Sequence, residues 1–528
     1  MNYTTNLPLH RLALFGRTGG ALALLLVMAG CQTYEQQTQQ FTQATRSGSL
    51  AAAVVQIDRQ ADSSKGNKDE ILYRLEQGAT LRAASMADPA DVPAPPMAAS
   101  VAPAEGEAAV PVAAPTADEI HAFYYNRSIA AFDQAEVKVN DYEEQAKVKM
   151  GSEIGAALTN QANIPYRGRS YDKVMMNTYK ALSYLGLGEK DKARVELNRS
   201  LQRQRDAVEA NQKRIGAAQD EEELARKGEL KDEKGKSASY DSQKALDDPK
   251  TGPALQAALD VSIAPMQPYG DYVNPFAVFL DGLFYTVLGE DGSDWERGRK
   301  SFERVAGMVP ANAYVTADLE AATLAAEGKA PEGMTYVIFE TGTAPSRDQL
   351  RIDIPTFLVT NKLAYVGAAF PKLVYNDNYV PTLGVAAGEQ TIYTATVASM
   401  DSVIANDFKN DWPLVVTKTL IGTATKAIIQ AAIQREIDSR AGWMGSLVGA
   451  AILSAANSST NIADTRTWTS LPKEFQYARI TSPENRELTL TAGETQKTVT
   501  LEPGSINVVY VKSVSPTAPL YISQYVLK

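Results

Sequence analysis

The sequence predicts an α+β protein in two parts, a helical one running to residue 330 and a β-rich one over 331–528. Three observations predict it. Before Pro331, apolar residues recur at helical spacing in helix-turn-helix units, with a turn glycine and small residues at fixed offsets. After Pro331, β-branched and aromatic residues alternate or cluster in short runs between turn signals. A chain of 528 residues also exceeds what one core usually holds, and its composition changes character across Ala325 to Pro331, which marks the boundary.

At the N-terminus, Arg11 and Arg17 precede a nearly all-aliphatic run, Ala21 to Gly30, which leads directly into Cys31, the single cysteine. A basic start, a short apolar stretch and a small pair, Ala29-Gly30, are the parts of a signal peptide over residues 1–30. The run is far below the roughly 20 residues of a membrane span. Its end resembles the lipobox of bacterial lipoproteins, with Met28 where that family more often carries Leu. The resemblance implies cleavage before Cys31 and acylation of its thiol and new N-terminus, so that mature Cys31 anchors an otherwise soluble protein to a membrane, as buried acyl chains do. Gln32 follows where the family's inner-membrane retention signal has Asp, which implies the bacterial outer membrane, with the protein facing the periplasm.

Removing residues 1–30 takes two of the 52 basic residues and none of the 62 acidic ones, leaving a mature net charge of about −12. That balance disfavours nucleic acid as a partner. With Cys31 acylated and His10 removed, no thiol and only His121 remain, too few for a zinc site of the usual His and Cys ligands. No metal and no cofactor is expected.

Within the helical part, Tyr179 to Gly188 reads as one helix and Glu189 to Ser200 as the next, with Gly188 in the turn, Ala193 five residues later and Ser200 seven after that. Asn274 to Gly289 followed by Asp294 to Val305 repeats the spacing, with Gly298 in the tight position. Ile71 to Arg82 and Tyr125 to Ala135 form a third unit, with Ser128 and Ala135 as its small pair. Small residues are needed where two helices pack closely, because a bulky side chain would force them apart. These units resemble tetratricopeptide repeats. The third is opened by Met86 to Ala117, a Pro/Ala-rich stretch with few core formers, read as a disordered insertion in a repeat turn. The mixed charges of Glu189 to Lys250 predict an extended, solvated helix stabilised by i,i+4 pairs, with a mobile loop over 235–253.

In the β-rich part, the runs Thr335 to Gly342, Leu350 to Pro355, Gln390 to Val397 and Glu487 to Thr491 read as strands, and Gln496 to Val511 as a C-terminal hairpin turning at Pro503-Gly504. The pattern suits a small β-sandwich. A helical hairpin, Trp412 to Ala456, interrupts it, with Pro413 in its first turn. Its second arm is uncharged and carries Gly445-x-x-x-Gly449, which permits close helix approach and so self-association, while being too short to span a bilayer.

Beyond the hairpin lies Asp464-x-Arg466-x-Trp468-x-x-Leu471-Pro472. Together with Phe339 to Pro345 and the helical units, it resembles a family of uncharacterised bacterial lipoproteins with tetratricopeptide-like helices. Members are often encoded beside lipoproteins that activate peptidoglycan synthases, so the resemblance implies work in the cell envelope. From their chemistry, Asp464 and Arg466 are expected to form a charge-assisted pair that fixes the loop while Trp468 packs into the sandwich. An arginine beside it would make Asp464 a poor proton donor. No catalytic residue is assigned. Ser170-x-x-Lys173 and Ser470-x-x-Lys473 lack the companion motifs of serine acyl enzymes, and no nucleophile elbow or phosphate loop is present. The expectation is therefore a non-enzymatic scaffold whose stacked helices dock another envelope protein, as an accessory to cell-wall synthesis or a trans-envelope assembly. A homo-oligomer built through the apolar hairpin is the alternative, and a peptidoglycan-acting enzyme with paired acids a minor one.

Overall fold

The computed structural model describes residues 34–96, 114–148, 161–231, 237–238, 240–267, 269–355, 365–425, 427 and 462–528. Cys31 with its signal peptide, residues 97–113 of the Pro/Ala-rich stretch and the Gly442 to Ala456 arm with Gly445 and Gly449 lie outside the described residues.

The protein is mixed α+β. Helices α1 (Tyr34–Arg46), α2 (Leu50–Ser63) and α3 (Glu70–Ala84) lead into the long α4 (Ala117–Val148), and then α5 (Ser170–Gly186) and α6 (Lys190–Lys227). After short helices α7 (Ser242–Leu246) and α8 (Thr251–Ile263) come α9 (Pro275–Leu288), α10 (Gly292–Met308) and α11 (Ala313–Ala326). Consecutive helices pack as pairs, α3 on α4, α5 on α6 and α9 on α10. The starts follow local chemistry. Asn274 caps α9 by accepting from Phe276 N (3.0 Å), ahead of Pro275 at the first helical position. Asp291 and Asn312 do the same for α10 and α11. Helix α9 is almost wholly apolar and is buried from Pro275 to Val287, its one acid, Asp281, held by Arg297 and Ser301. Among the described residues no helix is long and apolar enough to cross a membrane.

Two sheets carry most of the strands. In the larger, strands β13 (Tyr521–Val526), β12 (Ile506–Ser513), β3 (Met334–Thr341), β9 (Glu474–Thr481) and β8 (Ala395–Ser399) run side by side in that order, with β12 and β3 parallel. The smaller is ordered β11 (Thr495–Thr500), β10 (Glu487–Ala492), β6 (Gly384–Ala387) and β7 (Gln390–Tyr393). A two-stranded ribbon, β4 (Ser346–Pro355) with β5 (Tyr365–Val374), stands apart, as does the small pair β1 (Leu230–Lys231) with β2 (Ser237–Ala238). The large sheet is a middle layer. Alternate residues such as Val337, Phe339, Val509 and Val511 face the small sheet and meet Leu488, Leu490 and Val385. The intervening Tyr336, Ile338, Val508 and Tyr510 face the helices. Burial on both faces is why β3 and β12 read as continuous apolar runs instead of clean alternation.

Several expectations are corrected. The chemical change at residues 325–331 coincides with the passage from α11 to β3, but both sides contribute to one continuous core. Phe276 of α9 stacks on Phe475 of β9 at 3.9 Å, and Phe279 meets Tyr477 at 4.3 Å. The expected hairpin between residues 496 and 511 does not form. Instead β11 pairs with β10, while β12 takes β3 and β13 as neighbours. The helical run expected from Trp412 already starts at residue 400, straight out of β8, so Pro413 lies inside it and not in its first turn.

The Pro/Ala-rich stretch is structured where it is described, up to residue 96. Met86, Ala87 and Val92 are buried, Asp88 caps a 3-10 turn at Pro89–Asp91, and Pro93 O accepts from Tyr124 Oη at 2.5 Å. The loop expected over 235–253 is likewise structured where described. Tyr240 is buried with its hydroxyl on Pro355 O (3.1 Å), Asp241 caps α7, and Asp248 accepts from Thr251 N (2.9 Å). Composition hid these anchors because each depends on a single side chain.

Candidate functional site

The small residues picked out by spacing lie at helix contacts. Ser128 donates to Gly78 O (2.7 Å), Ala135 and Ala193 are fully buried, and Ser200 lies 3.0 Å from Thr178 Oγ1 and donates to Val174 O (3.2 Å). A Cβ on Gly298 would stand 2.7 Å from Thr286 Oγ1 and 2.8 Å from its backbone nitrogen. Gly188 serves differently. At φ +74° it makes the left-handed turn between α5 and α6, with open space around it. Spacing missed Gly78 and Gly186, whose Cβ positions would strike Phe132 and Tyr125 at 2.5 Å.

On the outside of this packing, α6, α9 and α10 enclose a surface groove of about 920 Å³. Arg199, Arg205, Arg297, Lys300 and Arg304 line it, against Asp281 and Glu296. Three of the cations are answered. Arg297 bonds Asp281 Oδ1 (2.5 Å), Arg199 pairs with Glu196 (2.7 Å), and Lys300 sits 3.7 Å from Glu296. Among the described residues Arg205 bonds the Gln202 side chain (2.6 Å) and forms no ion pair, and Arg304 forms none either. Partial desolvation and then the like charge of Arg205 hold the Arg304 guanidinium below its ordinary value. An acidic protein thus presents a groove where two neighbouring arginines form no ion pair among the described residues, Asp281 acting on Arg205 only at longer range.

Asp464, Arg466 and Trp468 form a strut between the two halves of the chain. Arg466 bonds both oxygens of Asp464 (Nε to Oδ1 2.8 Å, Nη2 to Oδ2 3.0 Å) and reaches Asp69 Oδ1 (2.9 Å) and Ile164 O (2.8 Å). Burial would raise the Asp464 carboxyl, but Arg466 outweighs it and lowers the value, so the group stays ionised and is a poor acid. Trp468 departs from expectation. It packs between Phe132 of α4 (5.8 Å) and Tyr179 of α5 (5.9 Å), among the helices and not between the sheets, and its indole N–H donates to Ser470 Oγ (2.8 Å). Ser470 and Lys473 are not paired. The lysine is held by Asp401 (2.5 Å) and Asp377 (3.2 Å).

Sequence reasoning missed the buried ionic centre. Glu340 of β3, with no exposed surface, accepts from Tyr179 Oη (2.9 Å) and Tyr510 Oη (2.5 Å), pairs with Arg82 of α3 (3.1 Å) and contacts the Lys512 ammonium. Burial pushes its carboxyl up, and the Lys512 and Arg82 charges more than offset this. Arg82 also lies over the rings of Tyr510 (4.3 Å) and Tyr179 (4.8 Å). The only signals were a lone acid within an apolar strand and a lysine at the end of another. These networks hold the halves together. None places a nucleophile, a base and an oxyanion donor around an open space.

Compared with known families, with curated proteins and with solved structures, the chain matches none.

Proposed function

We propose that this protein is a lipid-anchored scaffold of the bacterial outer membrane, facing the periplasm, whose helical half docks an acidic segment of another envelope protein. The carrying observation is the groove between α6, α9 and α10, where Arg205 and Arg304 form no ion pair among the described residues, in a chain of net charge −10. Complementary charge steers encounter and fixes register, so an aspartate- or glutamate-rich segment is the natural occupant. The tight helix pairs at Ser128, Ser200 and Gly298 support a tetratricopeptide-like stack, in which neighbouring helices hold such a groove rigid. Cys31 supplies the anchor. The gene-neighbourhood tendency of similar lipoproteins favours an accessory role in cell-wall synthesis or a trans-envelope assembly.

The test compares wild type, Cys31→Ala and Arg205→Glu/Arg304→Glu proteins in intact cells, by membrane fractionation and by crosslinked capture with mass spectrometry. The expected result is one envelope complex captured by wild type, with Cys31→Ala released from the membrane and the charge-reversed protein still anchored but without its partner. Recovery of the same complex by the charge-reversed protein would remove the groove from the account.

A further inference from the structure

On the side of the molecule formed by α1, a cleft of about 790 Å³ lies between that helix, the start of β4 and the strut segment. That size falls within the range of small-molecule sites. Three features of its wall are unusual.

The wall is hydroxyl- and amide-rich, with Thr42, Gln39 and Gln43 from α1, Ser346 from β4, and Thr465, Thr467 and Thr469 from the strut. The three strut threonines arise by alternation. Arg466 and Trp468 point into the core at Asp69 and Phe132, and the residues that alternate with them line the cleft. The strut motif thus fixes the segment through Arg466 and Trp468, while Thr467 and Thr469 back the cleft with their hydroxyls held by Tyr171 (3.2 Å) and Glu76 (2.7 Å).

Arg46 and Arg347 line the cleft, and among the described side chains no carboxylate does. Glu76 accepts Thr469 N (2.6 Å) and Thr469 Oγ1 (2.7 Å), but it is fully buried behind the wall and does not line it.

Arg347 is 1% exposed, and its Nε and Nη2 have no hydrogen-bond acceptor among the described residues. It forms no ion pair there either. Its guanidinium carbon stands 5.3 Å from the ring centre of Phe408, and the carboxylates of Asp407 and Asp172 act on it electrostatically without an ion pair among the described residues. A buried cation with unmet donors is costly unless something pairs with it.

We propose that this cleft binds an anionic saccharide, its carboxylate or phosphate taken by Arg347 and Arg46 and its hydroxyls by Gln39, Thr42, Gln43 and Ser346. A guanidinium fork matches either anion, and side-chain amides and hydroxyls match a sugar's alternating donors and acceptors. The site is separate from the helical groove and stands or falls independently of the docking role.

The test is calorimetric titration of the purified mature chain with N-acetylmuramic acid, N-acetylglucosamine 6-phosphate, N-acetylglucosamine and inorganic phosphate. Two variants accompany it. Arg347→Met removes the buried cation, and Gln43→Glu adds a negative charge on an exposed cleft residue without touching the core. Saturable binding of one or both anionic sugars is expected, about tenfold or more tighter than the neutral sugar or phosphate alone, and about tenfold or more weaker in each variant. Binding of the carboxylated sugar alone or the phosphorylated sugar alone identifies the anion. The proposal is overturned if wild type binds neither anionic sugar, if phosphate binds as well as the sugar phosphate, or if the folded Gln43→Glu protein binds unchanged.

Discussion

Arg82 and Glu340 meet at 3.1 Å in the interior, one from the third helix and the other from the first strand of the large sheet, each 1% exposed or less. The pair couples halves of the chain 258 residues apart. Lys512 shares the carboxylate, so one anion answers two buried cations. Replacing Glu340 by Gln leaves both uncompensated and is expected to cost about 3–5 kcal/mol. Urea unfolding followed by far-ultraviolet circular dichroism and tryptophan fluorescence should show both signals moving together to lower denaturant. Separate transitions would mean that helices and sheets do not share one core.

The Asp464–Arg466 pair is bidentate and also holds Asp69, which a lysine cannot reproduce. Arg466→Lys is therefore expected to lose about 1–3 kcal/mol, close to the loss in Arg466→Ala. Thermal unfolding of the two variants beside wild type checks this. A lysine variant as stable as wild type would reduce the strut to a simple charge pair.

Gly298 and Gly188 are both glycines of helix pairs, for different reasons. Alanine at Gly298 would press on the backbone of Thr286 and should cost about 1–3 kcal/mol through overpacking. At Gly188 only the left-handed backbone objects, and alanine should cost about 1 kcal/mol. Leucine separates the two further. At Gly188 it points into open space and should cost little beyond alanine, while at Gly298 it should prevent the α9–α10 pair from closing.

Buried carboxyls set a pH dependence. Burial raises Asp318 and Asp401 to about 6, and burial with the neighbouring Asp411 raises Asp407 to about 7. These folded-state values exceed the ordinary 3.8, so the folded protein binds protons more tightly than the unfolded chain. Their contribution is complete at low pH and is lost as pH rises through 6 to 7. The melting temperature should therefore climb as pH falls from about 8 toward 5. Asp407→Asn should flatten the upper part of that slope and be the more stable protein at pH 8. A melting temperature that rises with pH over this window would contradict the assignment.

Local chemistry was legible where it is local. Ser200 and Gly298 were found by offset from a turn, and the Asp464–Arg466 pair by its i,i+2 adjacency. The destination of Trp468 was not, because its neighbours Phe132 and Tyr179 lie hundreds of residues upstream. Glu340 shows the same limit, since its partners come from α3, α5 and β12. The parallel pairing of β12 with β3 joins strands separated by most of the β-rich part, and no turn signal announces such a contact. Composition misled at Met86 and Val92, where two apolar side chains suffice to fasten a Pro/Ala-rich segment. Arg347 left no mark in sequence, since a buried cation with no ion pair among the described residues is recognised only by its surroundings.

The most direct measurement is photocrosslinking in living cells from a probe at Gln202, on the exposed floor of the groove, beside one at exposed Gln349 of β4, which does not line it. The account expects one dominant adduct from Gln202, mapping to an acidic segment of a single envelope protein, absent from Gln349 and abolished by Arg205→Glu/Arg304→Glu. An equal adduct pattern from both positions, or a Gln202 adduct untouched by charge reversal, would contradict docking through this groove.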